Sequence, residues 1–137
     1  MFKLAINKNE IINAVNQLSS WEDWYEFKRS VFKTDDWPEL TSKQVEDDIN
    51  REDIVIDGIT WEATTNNYDV DPDLIHLYEK CSRLIFEKME PEAFKENLSN
   101  KDEYLRICTK CTRWAKTSKI DFCPVCGEEL FMIPIPD

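Results

Sequence analysis

The 137-residue chain sets 28 acidic against 17 basic side chains, a formal net charge of −11 at pH 7, which opposes binding to phosphate backbones and favours basic protein surfaces. With 42% hydrophobic residues, 12% aromatics and two glycines it can pack a core, which excludes a low-complexity or disordered chain. No apolar run approaches the roughly 18 residues of a membrane span, and the polar Asn7-Lys8-Asn9-Glu10 argues against a signal peptide, so a cytoplasmic protein with reduced thiols is expected.

In chain order, Ile11, Ile12, Val15 and Leu18 recur at helical spacing over residues 9–18. Ser20 followed by Asp23 starts a second helix, on which Trp21, Trp24, Tyr25, Phe27, Val31 and Phe32 form a broad apolar face expected to be core rather than an aromatic ligand platform. Pro38 ends that region, and Thr41 with Gln44 offers a capping box for a short acidic helix reaching residue 50. Two β-prone runs, 54–56 and 59–64, flank Asp57-Gly58, a pair suited to a type I′ turn, which predicts a hairpin. Asp71 before Pro72 opens a helix with Leu74, Leu77, Tyr78, Cys81, Leu84 and Ile85 on one face, and Pro91 opens another that ends near Leu98. The polar stretch 100–103 marks a junction between an acidic α+β domain, residues 1–103, and a metal module, residues 104–137, with strands expected at 104–107, 119–122 and 130–133.

That module carries the sharpest signal. Cys108-Thr-Lys-Cys111 and Cys123-Pro-Val-Cys126-Gly127 are two CxxC pairs at the spacing with which two knuckles converge on one tetrahedral ion. One structural Zn²⁺ is expected on Cys108, Cys111, Cys123 and Cys126; iron uses the same four thiolates, but the acidic upstream part suits a small redox protein poorly. Residues 104–133 resemble a zinc ribbon with rubredoxin-type knuckles. In the second knuckle proline fixes the turn and glycine lets backbone amides approach the sulfurs, whereas in the first Thr112 stands where the glycine would be, which weakens that knuckle's ideality. The fold class expected is therefore α+β, a mainly helical N-terminal part with a β-hairpin followed by a small C-terminal zinc ribbon.

Other features weigh less. Asp69-Val-Asp71-Pro-Asp73 imitates half an EF-hand loop, but Leu74 and Lys80 occupy its glycine and glutamate positions, so Asp71 reads as a helix cap. His76, the single histidine, falls on the polar side of its helix, and Cys81 on the apolar stripe reads as an inert buried thiol. No nucleotide-binding or nucleophile-elbow motif occurs, so an enzyme is not expected.

The excess acid lies upstream, with 22 acidic and 11 basic residues in 1–100 and six of each in 101–137. The densest run, Glu46, Asp47, Asp48, Glu52 and Asp53, is the candidate surface for a partner protein with a basic face. An acidic interaction or regulatory protein is expected. By composition alone it is analogous to inhibitors that fill an enzyme's nucleic-acid channel, such as phage-encoded host-takeover or anti-defence proteins. The alternative is a nucleic-acid-binding regulator, because Arg113, Lys116 and Lys119 surround Trp114 in a stretch without acids.

Overall fold

The structure, a computed structural model, describes residues 1–99, 104–117 and 120–134. Helices and antiparallel strands come in separate runs, an α+β arrangement, and the chain divides into two compact units, Met1–Pro38 with Asp69–Glu96 and Glu39–Tyr68 with Asn97–Asp137. Among the described residues no helix is long and apolar enough to cross a membrane.

The first unit is helical. Helix α1 (Lys8–Asn16) is capped by Asn7, whose Oδ1 accepts from the Glu10 amide at 3.1 Å. Helix α2 (Trp21–Ser30) is capped by Ser20 Oγ on the Asp23 amide, while the Asp23 carboxylate accepts from the backbone and hydroxyl of Ser19, bonds that hold its pKa below the ordinary value. Ser20→Ala is expected to lower stability by about 1 kcal/mol, measured by chemical denaturation. Acids at the start of α2 and bases at its end complement the helix dipole.

These helices pack on the long helix Pro72–Met89, whose Asp71 cap and first-turn proline match the sequence reading. The Tyr78 ring lies 5.7 Å from Trp24, 5.5 Å from Phe32 and 5.1 Å from Trp37, and the Trp37 indole donates to the Phe32 carbonyl. With Trp24 only 3% exposed, Phe32 fully buried and Trp21, Phe27 and Val31 packed against them, the stripe is core except for Tyr25, which at the helix's outer side is 48% exposed. Cys81 is fully buried, and desolvation pushes its thiol up to about 11. His76 departs from expectation, being 4% exposed instead of solvated. The reason is that Leu74, Ile75, His76 and Leu77 are buried in succession, so the helix is enclosed all round over this turn, close to where Phe2 hydrogen-bonds to Asp69 and Asp71.

The second unit begins with helix α3 (Ser42–Ile49), whose Thr41–Gln44 capping box is fully formed. Strands β1 (Ile54–Ile56) and β2 (Ile59–Ala63) form the expected hairpin, with Asp57 at φ 52° and Gly58 at φ 80°. After the long helix, here α4, and α5 (Pro91–Ser99) come β3 (Tyr104–Cys108), β4 (Arg113–Lys116) and β5 (Phe131–Pro134). All five strands share one antiparallel sheet of order β1-β2-β4-β3-β5. The hairpin, expected upstream of a junction at residue 103, thus pairs with β4 through Glu62↔Trp114 and Ala63↔Arg113.

The middle strand of the cysteine module lies at 113–116, not at 119–122. Thr112 takes a left-handed φ of 53°, so the chain reverses at once and lays β4 against β3 from Cys108↔Arg113 to Leu105↔Lys116. Phe122 makes only an isolated bridge to Glu129, and Lys119 lies outside the described residues.

Candidate metal centre

The sheet and the two knuckles bring four sulfurs together. Cys108 ends β3, Cys111 closes the first turn, and Cys123 and Cys126 flank the second; their Sγ atoms all lie within 4.8 Å of one another. The Cys108–Cys126 pair is 3.5 Å apart and the Cys123–Cys111 pair 4.0 Å. A tetrahedron with metal–sulfur bonds of about 2.3 Å has edges of about 3.8 Å, between those two values. A disulfide needs about 2.05 Å, and all these cysteines are free. The donor set and its dimensions fit one thiophilic ion.

Electrostatics also calls for a cation. Burial, reinforced by the neighbouring sulfurs, pushes the Cys108 thiol up and that of Cys111 up to about 12. At Cys123 burial again opposes ionisation, yet hydrogen bonds from the backbone of Cys126 and Val125 outweigh it and hold that thiol below its ordinary value. Four thiolates therefore coexist here only around positive charge. The knuckles supply some of it as dipoles, with the Cys111 amide 3.3 Å from Cys108 Sγ. In the second knuckle Gly127 adopts φ 78° and its amide bonds the Cys123 carbonyl at 2.9 Å.

Comparison with family models, with curated proteins and with solved structures finds no match to this chain. The functional reading therefore rests on the geometry.

Two residues with no local sequence signal belong to this region. Trp61, 1% exposed, packs in one apolar cluster with Cys108, Cys123, Ala115 and Leu130, and its buried indole nitrogen has no hydrogen-bond partner among the described residues. Arg51 reaches the first knuckle from the α3–β1 connection, with Nη1 3.2 Å from the Cys111 carbonyl and Nη2 2.6 Å from that of Thr112.

Of the acidic run, Glu46, Asp47, Glu52 and Asp53 are exposed, but Asp48 is half-buried and accepts from Thr65 Oγ1 at 3.2 Å. The cationic stretch is largely engaged within its own unit. Arg113 donates to the carbonyls of Glu52 and Trp61, Arg106 pairs with Asp121 at 3.3 Å, and Lys110 lies 3.9 Å from Glu128. Trp114 is half-buried on the sheet and Lys116 is exposed.

Proposed function

We propose that this chain is a non-catalytic, cytoplasmic interaction protein that uses one structural Zn²⁺, in a zinc ribbon, to build the unit bearing its acidic partner-binding surface. The observation that carries the metal assignment is the four-sulfur cluster, all within 4.8 Å, with two of its pairs 3.5 and 4.0 Å apart. Four thiolates and no open ligand position favour zinc in a structural role over a catalytic one. Support for the acidic surface comes from segment 39–68 of the same unit, which sets eight acidic side chains against Lys43 and Arg51. The natural partner is a protein with a basic face, met by long-range attraction. Arg113 supports this reading over nucleic-acid binding, since its guanidinium is committed to two backbone carbonyls.

Affinity capture from host lysate over a salt series tests the proposal. The captured protein is expected to elute as ionic strength rises, and charge reversal at Glu46, Asp47, Glu52 and Asp53 should slow association more than it speeds dissociation. Capture that persists at high salt and ignores the reversal would refute electrostatic recognition. Tight binding of single-stranded nucleic acid near 0.15 M salt (about physiological), abolished by alanine at Arg113, Lys116 and Lys119, would put the nucleic-acid reading first.

A further inference from the structure

The two knuckles are built differently. The second is self-sufficient: Pro124 sets its turn, Gly127 takes the left-handed position at no steric cost, and Cys123 bonds within the knuckle through the carbonyl of Glu128 and the amide of Gly127. The first has a β-branched threonine at the left-handed position, a conformation normally left to glycine.

What holds it comes from Arg51, between α3 and the hairpin, and from Thr64 and Asn66, just after the hairpin. Arg51 Nε is tied back to the Asp48 carbonyl at 2.9 Å, which aims the guanidinium. Nη1 then donates to the Cys111 carbonyl at 3.2 Å, and Nη2 reaches the Thr112 carbonyl at 2.6 Å, the Thr112 hydroxyl at 2.7 Å and the Thr64 carbonyl at 3.1 Å. The Thr112 hydroxyl passes its own hydrogen to the Cys111 carbonyl at 2.7 Å, the Thr64 amide donates to the Thr112 carbonyl at 2.9 Å, and Asn66 Nδ2 donates to that of Thr109 at 3.2 Å.

We infer that Arg51 is a positioning residue of the metal site: its planar fork locks Thr112 in the left-handed conformation that a glycine would otherwise supply, and so pre-sets Cys108 and Cys111 for the ion. A rigid fork suits three carbonyls at once, whereas a lysine offers one point of contact. A guanidinium on the carbonyl of a ligand cysteine also places fixed positive charge beside an anionic four-thiolate centre.

This inference rests on the zinc reading, and one experiment separates the two. Zinc affinity of the full chain is measured by competition with a chromophoric chelator for wild type, R51A, R51K, T112G and R51A/T112G. R51A is expected to weaken zinc by about 10–100-fold, the usual cost of losing support around a ligand, and R51K by nearly as much. Adding T112G to R51A should regain about tenfold, because glycine removes the strain that Arg51 restrains. Because the double variant removes the strain, it reports on the mechanism even if R51A folds poorly. Unchanged affinity in R51A, wild-type affinity in R51K, or no gain from T112G in the R51A background would each overturn the inference while leaving the zinc reading intact. A wild-type chain that takes up no zinc would overturn both.

Discussion

Removing the metal is expected to unfold the second unit while the aromatic core of the first keeps its own packing. Structural zinc contributes about 10–16 kcal/mol in small zinc modules, as much as the whole stability of an ordinary domain, roughly 5–15 kcal/mol. The second unit has little to replace it. Among the described residues its buried cluster consists of Trp61, Ala115, Leu130, Cys108 and Cys123, so two of these five are candidate ligands. Chelation, or serine at the four cysteines, should therefore abolish the sheet's amide protection and shift Trp61 emission to the red as the indole is hydrated. Affinity should also depend on pH in one direction. The thiols of Cys108 and Cys111 are raised in the metal-free cluster, hence protonated near neutrality, and metal binding must displace those protons. Affinity accordingly rises with pH and falls as acid restores the thiols. Elemental analysis should find one equivalent of zinc after dialysis. Cysteine-to-serine protein that retains full thermal stability would end the metal assignment.

How much of this was legible in advance follows from the range over which each feature is encoded. The knuckles, the Thr41–Gln44 box, the Asp57-Gly58 turn and the Asp71-Pro72 start are each set by chemistry within four residues, and the structure holds each of them where the sequence places it. Strand β4 is hidden locally because Arg113-Trp-Ala-Lys116 lacks the polar–apolar alternation of a strand, whereas Lys119-Ile-Asp-Phe122 has it. What placed it was the left-handed Thr112, a backbone state that threonine does not advertise. The pairing of β2 with β4 joins residues about fifty positions apart, as Glu62↔Trp114 shows, and no local period encodes it. Arg51 is hidden for the same reason, its acceptors lying 60 and 61 residues along the chain. His76 escapes the periodicity because a helical period presumes one solvated face, and residues 74–77 of α4 are buried on every side.

The aromatic core gives the second large effect. Trp24→Ala is expected to lower the stability of the first unit by about 3–5 kcal/mol, the range for deleting a buried large aromatic side chain. The indole packs at 6.2 Å from Phe27, 6.3 Å from Phe32 and 5.7 Å from Tyr78, so its loss opens a cavity among rigid rings that cannot all move inward together. Trp24→Phe should cost less, because a smaller ring keeps part of the contact. Tyr25, on the same helix but 48% exposed, serves as the control, and Tyr25→Ala should cost well under half as much. Denaturant unfolding followed by near-ultraviolet circular dichroism measures all three. Zinc stoichiometry should stay unchanged throughout, since no cysteine of the cluster belongs to this core. A Trp24→Ala chain as stable as wild type would mean that the stripe at 21–32 is not the packed core, and would return it to the alternative of an aromatic ligand platform.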